Sequence, residues 1–276
     1  MTGAVSKSAC LCDNRGDKGD ELFMPLSAWE KIHTMHRCWR LRFKSEVPSI
    51  QYVRQPSFCR KTVLDIGANK GVFSIYMSRA VGRDGKLIAF EAQPELGAHL
   101  RAVKESFSLD NMTLVNQGLS SEPGVLTMRR PEAGSGMASF HKEAASGLEE
   151  IEIPVIKLDD YAAQNDLGPV HFIKCDVESH ELPVFMGGEQ LLRRDLPTLL
   201  FECHDCEADS GDLFGFLDTV GYDGYFYYVS PSDHRSLLHK GRGEFVHFSN
   251  RSDYEHVHPN VQHRNYLFVK KGQRPV

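Results

Sequence analysis

The stretch Thr62–Gly71, TVLDIGANKG, decides the fold. Thr62, Val63, Leu64, Asp65 and Ile66 form a short β-branched and apolar run. It breaks at Gly67 and Gly71, with Asn69 between them. A run of this kind reads as a strand that turns sharply, so that the start of a helix can approach a ligand. A dinucleotide turn has the spacing G-x-G-x-x-G, which lets backbone N–H groups close on a pyrophosphate at a helix N-terminus. Here the pattern is Asp65-x-Gly67-x-Asn69-x-Gly71. An acid at Asp65 opposes a phosphate and suits the cationic end of an amino-acid moiety.

Outward from this turn the rhythm of strand, turn and helix repeats. The spacing predicts a helix over 72–81 and strands over 86–90, 113–116, 170–175 and 198–202, with helices over 94–107, 181–192 and 212–220. Late strands are expected at 225–229 and 265–270. The period-2 segments Val125–Arg130 and Ile151–Leu158 read as a hairpin insertion around Gly134-Ser135-Gly136. That loop reads equally as an acceptor contact or a linker. Alternation of strands with helices of this length predicts an α/β fold. Its sheet is doubly wound and mostly parallel, with helices on both faces and ligands at the C-terminal strand ends.

Before the turn, residues 1–20 are Gly-, Asp-, Lys- and Ser-rich and read as disordered. Residues 21–56 read as a helical appendage, a lid or a dimer contact, with a short strand at Ser49–Val53. Residues 57–276 form the main domain.

The 276 residues carry a net charge of −5, and Lys and Arg are scattered among acids. Neither a basic stripe for nucleic acid nor a polybasic run for a membrane is visible. Apolar runs are too short to span a bilayer, and Met1–Cys10 lacks a signal-peptide core, so a cytoplasmic protein is expected. Seven irregularly spaced cysteines read as reduced thiols. Cys10-x-Cys12 and Cys203-His204-Asp205-Cys206 do not make a four-ligand zinc set, and His256, His258 and His263 lack a carboxylate trio, so no metal is expected.

Two further positions narrow the ligand. Glu91 ends the second strand, where an acid accepts hydrogen bonds from both hydroxyls of an adenosine ribose. A ribose clamp without a phosphate cradle points to S-adenosylmethionine. In Val170–Glu181, VHFIKCDVESHE, Lys174, Asp176, Glu178 and Glu181 leave an apolar strand. Acids in a first helical turn explain Glu178 and Glu181, but Lys174 lies inside the strand, where an unpaired charge costs several kcal/mol.

With these segments in view the chain resembles the FkbM-type S-adenosylmethionine-dependent methyltransferases. The resemblance rests on VLDIGANKGVFSIYMSR (63–79), IAFEAQP (88–94), NQGLSSEPG (116–124), IPVIKLDDY (153–161), HFIKCDVESHELPVFMGGEQLL (171–192) and LLFECH (199–204). The family usually has Gly after the glutamate of its K-x-D-x-E segment, where this chain has Ser179. The resemblance implies a seven-stranded class I methyltransferase sheet with an antiparallel last strand. It also implies methyl transfer to a hydroxyl on a small metabolite or sugar. On the cofactor side it implies Asp65, Gly67, Asn69 and Gly71 around the methionine end, Glu91 on the ribose with Gln93 nearby, and Gln117 and Gly118 flanking adenine. Asp176 would orient the acceptor or the cofactor's amino group, with Glu178 and His204 as further candidates for the base and Lys174 either paired to Asp176 or Glu202 or in direct contact with the substrate. The competing readings are an NAD(P)-dependent oxidoreductase and a catalytically silent methyltransferase-like binding module.

Overall fold

The computed structural model describes residues 24–203, 211–228, 244–248 and 265–275. The stretch read as disordered, 1–20, lies outside them, as do His204, Cys206, His256, His258 and His263. The strand β1 (Thr62–Ile66) sits inside a sheet, flanked in parallel by β2 (Lys86–Phe90) and by β7 (Val170–Cys175). Beyond β2 lies β3 (Met112–Val115), and beyond β7 lies β8 (Thr198–Glu202), both also parallel. The chain then reverses: β11 (Asn265–Lys270) pairs antiparallel to β8, β9 (Tyr222–Tyr228) to β11, and β10 (Glu244–Phe248) to β9. The order is therefore β10-β9-β11-β8-β7-β1-β2-β3.

The sheet has eight strands where seven were expected. The additional one, β10, adds to the edge that β9 would otherwise leave open; its sequence EFVHF is embedded in polar, His-rich chain and carries little periodic pattern.

Alternate residues of the central strands enter two different cores. Leu64, Ile66, Ile88, Phe90 and Ile173 face one layer of helices; Val63, Leu87, Ala89 and Phe172 face the other. The helices are α3 (Val72–Val81), α4 (Pro94–Phe107), α5 (Leu158–Gln164), α6 (Glu181–Gly187), α7 (Glu189–Asp195) and α8 (Asp212–Val220). Burial on both faces is why these strands read as continuous apolar runs.

The N-terminal segment packs against the second core. Helix α1 (Ala28–Arg40) starts at a capping box, in which Ser27 and Glu30 satisfy each other's backbone N–H groups. A π-helical turn at Leu41–Ser45 leads into α2 (Val47–Val53). Residues 49–53, expected as a strand, are thus helical. Pro48 occupies the first helical turn, where its missing N–H is not needed, and Ile50, Tyr52 and Val53 are buried among the residues around Val63.

The insertion forms its own sheet, β4 (Gly118–Leu119), β6 (Glu149–Ile156) and β5 (Gly124–Arg130), with β5 and β6 antiparallel as the period-2 pattern required. Arg130, 2% exposed, ties it to α4: its guanidinium donates to both carboxylate oxygens of Glu95 at 2.8 and 3.0 Å and to Glu149 at 2.9 Å. A second tie runs through His180, which meets Ser120 Oγ at 3.0 Å through Nε2 and His141 Nε2 at 2.8 Å through Nδ1. Burial, with His141 beside it, pushes the His180 imidazole down to about 4.

Between β7 and α6, Glu178 and Ser179 both adopt left-handed backbone, with φ of 52° and 76°. For a residue with a Cβ this costs roughly 1–2 kcal/mol. Among the described residues the Ser179 side chain makes no hydrogen bond that would offset it. Ser179→Gly is expected to gain about 1 kcal/mol after its greater unfolded-state entropy is counted, raising the melting midpoint by about 2–4 °C. An unchanged or lower midpoint in a thermal melt would show that Ser179 is not strained.

His180 sets a pH window. Its folded pKa lies below its unfolded value, so between about 6.5 and about 4 the unfolded chain binds a proton that the folded chain does not. Its contribution is complete above pH 6.5 and is lost as pH falls toward 4, a change of about 3 kcal/mol at most. Urea melts of His180→Gln should lose this part of the pH dependence; an identical slope in both proteins would refute it.

Candidate functional site

The turn after β1 is built by backbone contacts before any side chain is considered. Gly67, at φ 74°, lies so close to the end of β7 that a Cβ there would sit 1.9 Å from the Asp176 carbonyl oxygen. No other residue fits. Four of the turn's amides are already used: Gly67 and Ala68 N–H both donate to Phe90 O at 3.0 Å, Gly71 N–H to Ala68 O at 2.9 Å, and Asn69 N–H to Glu91 Oε2 at 2.7 Å. Four amides of the turn are therefore committed within the protein, and the Glu91 carboxylate stands against one of them, Asn69 N–H.

Glu91 is 5% exposed. Its other oxygen, Oε1, accepts from Gln93 N–H at 2.9 Å, so each oxygen is oriented by one amide and keeps further lone-pair capacity. Burial raises its pKa, opposed by those two amides. Gln93, also buried, fastens the insertion loop: its Nε2 donates to Ser135 O at 2.9 Å and its Oε1 accepts from Gly134 N–H at 3.2 Å.

Asp65 is fully buried, and its side chain reaches none of the cavity walls described below. The sequence reading aimed it at the ligand; it points instead under the turn. It accepts from Ser74 Oγ at 2.5 Å and lies 3.8 Å from Lys174 Nζ, its register neighbour on β7. Burial raises its pKa, with Lys174 and Ser74 acting the other way. Lys174 is 6% exposed and donates to Asp176 Oδ2 at 3.1 Å and to Gly67 O at 3.2 Å, with the Phe73 ring 5.1 Å away. Burial works against its charge, but Asp176 and Asp65 outweigh it and hold its pKa above the ordinary lysine value.

Two cavities meet at this point. The smaller, about 80 Å³, is lined by Glu91, Gln93, Gln117, Gly118, Glu178 and the insertion loop. The larger, about 420 Å³, is lined by Lys174, Glu202, Glu46, Arg37, Arg40 and Lys70. Gly67, Asn69, Gly136 and Asp176 line both. Only the larger falls in the ~300–1,000 Å³ range of small-molecule sites.

The structure thus brings together nearly all the residues singled out from sequence. Besides Asp65, Gly71 also stands back from the cavities: it caps α3, where a Cβ would meet Leu100 at 2.8 Å. His204 lies outside the described residues. Sequence reasoning missed Glu46, whose Oε2 accepts from Ser49 Oγ and Asn265 Nδ2, both at 3.0 Å. Burial raises the pKa of Glu46. Nothing local in Ser45-Glu46-Val47 marks it, because its partner Asn265 is 219 residues away.

Comparison with known proteins identifies the family. Residues 65–241 match the methyltransferase FkbM domain family. The 31-O-demethyl-FK506 methyltransferase FkbM of Streptomyces tacrolimicus is 27% identical over 190 residues, covering 58% of this chain and 72% of that protein. Methyltransferase 1 of Beauveria bassiana is 22% identical over 178 residues, covering 58% and 71%. A solved FkbM methyltransferase from Methylobacillus flagellatus superimposes with a TM-score of 0.48 at 16% identity; the match covers 77% of this chain and 44% of that one. The family match spans well over half of the sequence: the chain belongs to the FkbM methyltransferase family.

Proposed function

We propose that this protein is an S-adenosylmethionine-dependent methyltransferase that methylates a hydroxyl on a small metabolite or sugar. The observation that carries the proposal is the buried Glu91 carboxylate, fixed by two amides, one of them Asn69 N–H from the turn after β1. Its unused lone pairs suit the two hydroxyls of a ribose. The same turn disfavours an NAD(P) reading, and the name of the Streptomyces relative, a 31-O-demethyl-FK506 methyltransferase, supports oxygen as the accepting atom.

S-adenosylmethionine, when bound, supplies an electrophilic sulfonium methyl group and is released as a neutral thioether. The residues that would hold it are Glu91 at the ribose, Gln117 and Gly118 beside the adenine, and Gly67 and Asn69 at the methionine end. Gln93 would act through the loop it fastens, which narrows the smaller cavity and has to yield for an adenosine to enter. Asp65 and Gly71 would support the turn from behind.

An alcohol is a poor nucleophile at neutral pH, so a base must take its proton as the new C–O bond forms. Asp176 is the first candidate. Its Oδ2 is held by Lys174, Oδ1 has no hydrogen-bond partner among the described residues, and the residue lines both cavities. Lys174 acts as a positioning residue that holds the Asp176 carboxylate in place. Glu178 lines the smaller cavity and His204 follows β8; both stay secondary candidates.

Glu91→Gln should weaken binding of S-adenosylhomocysteine about 10- to 100-fold, the equivalent of about 1.4–3 kcal/mol for a charged hydrogen-bond pair, in calorimetric titration. Thermal stabilisation of the wild type by NAD but not by S-adenosylhomocysteine would overturn the cofactor assignment.

Asp176→Asn should leave S-adenosylhomocysteine affinity within about threefold, yet lower turnover about 10²- to 10⁴-fold in a tritiated-methyl assay on a panel of polyols and phenols. Full turnover in that variant would move the base elsewhere in the cavity.

A further inference from the structure

Helix α1 has two faces with different characters. Arg37 and Arg40 line the larger cavity, whereas Trp29, Ile32, Met35 and Trp39 project outward. With Met24 before the helix and Phe43 after it, they are between 47% and 79% exposed. Single exposed apolar residues are ordinary, but a contiguous stripe marks an interaction surface. Of the large apolar side chains exposed among the described residues, two-thirds lie in this one segment.

Beside the stripe lie two adjoining cavities remote from the reaction site. The first, about 220 Å³, is an apolar groove between α1 and α3, lined chiefly by Met35, Trp39, Phe43, Ile75 and Phe107. The second, about 260 Å³, is lined by Arg42, Arg54, Arg79, Tyr76 and Ala80. Arg42, Tyr76 and Arg79 line both, so an apolar trough runs directly into a cluster of three arginines. No carboxylate lies within ion-pair distance of these guanidinium groups among the described residues. The Tyr76 hydroxyl is already committed, donating to Cys38 O at 3.0 Å.

We propose that this surface docks on an anionic membrane: a lipid phosphate sits among Arg42, Arg54 and Arg79, an acyl chain follows the groove past Trp39 and Phe43, and the α1 stripe enters the interface. Charge complementarity selects this occupant. Between Ala28 and Arg54 there are six basic residues against two acidic ones, Glu30 and Glu46, in a chain of net charge −5. Glu46 is turned inward to Asn265. Basic residues interleaved with Trp and Phe on one helix are the composition of an interfacial anchor. A second copy of the chain would set this basic segment against itself across a twofold axis. A soluble phosphate would leave the apolar stripe unused. No helix among the described residues is long and apolar enough to cross a membrane, so the contact is peripheral. The sequence showed no polybasic run because the three arginines come from separate elements and meet only in the fold.

The test uses the full chain with vesicles of phosphatidylcholine alone and of phosphatidylcholine with about 30% phosphatidylserine. Trp29 and Trp39 are the chain's two tryptophans, so intrinsic fluorescence reports the stripe directly. On the anionic vesicles we expect at least about fivefold more flotation than on neutral ones, a blue shift of tryptophan emission, and loss of binding at high salt. Arg54→Glu/Arg79→Glu and Trp29→Ser/Trp39→Ser should each reduce flotation to the neutral-vesicle level. Both variants should keep the wild-type melting midpoint, which separates a docking defect from misfolding and does not depend on the cofactor assignment. Absence of flotation with unchanged emission would overturn the proposal. So would a dimer in sedimentation that Trp29→Ser/Trp39→Ser dissolves without any vesicle binding. Stabilisation by inorganic phosphate that is lost in Arg54→Glu/Arg79→Glu, again without vesicle binding, would reassign the arginines to a soluble ligand and equally overturn it.

Discussion

A lysine ammonium inside a parallel sheet is the constraint around which this site is arranged. A lone charge in such a position costs several kcal/mol, and a lysine so placed ordinarily sheds its proton. Lys174 keeps it because Asp176 at 3.1 Å, the Gly67 carbonyl at 3.2 Å and Asp65 at 3.8 Å surround it with negative potential, and the face of Phe73 lies 5.1 Å away. Each partner is held in turn. Asp65 is drawn beneath the turn and away from the ligand, Gly67 is fixed with its carbonyl inward, and Asp176 is oriented at the mouth of the larger cavity. One buried charge thus couples the ends of β1 and β7.

The turn beside this coupling spends four of its amides within the protein. Gly67 and Ala68 bond back to Phe90, and Asn69 to Glu91, so a carboxylate stands beside the turn that approaches phosphate in a dinucleotide fold. The case against phosphate read from Asp65 therefore moves to a different residue: Asp65 lies beside Lys174 and is hidden, whereas Glu91 stands against the turn.

The central strands were legible because both their faces are buried, which makes them uniformly apolar between turn residues. The same property hid the direction of Asp65: when both faces are core, parity along the strand does not say which side the ligand is on. Ser49–Val53 looked like a strand because its alternation is too short to distinguish a period of 2 from one of 3.6; the deciding residue was Pro48, well suited to a first helical turn. Strand β10 was invisible because an edge strand can form from backbone pairing alone, and EFVHF sits in a polar context. Glu91, Gln93, Gln117, Gly118, Asp176 and Glu178 stood out as candidates because they come just after strands at the end of the sheet where this fold class collects its ligands, and Lys174 because it is a charge inside an apolar strand.

The residues missed share a position in the fold. Every residue lining the smaller cavity falls within 65–241, the span matched by the FkbM domain. The larger cavity is different: Arg37, Arg40, Leu41, Ser45, Glu46 and Asn265 lie outside that span. Glu46 and Asn265 bond to each other across the whole length of the chain, so α1, the turn after it and β11 form one wall. The smaller cavity is thus enclosed by the span shared with the family, while segments beyond the match bring Arg37, Arg40, Glu46 and Asn265 to the larger one, which Lys70 and Glu202 of the matched span also line. A motif between Asp65 and Asp176 can identify the cofactor turn and the reacting end, but it holds no information about a rim made by residues from elsewhere in the chain.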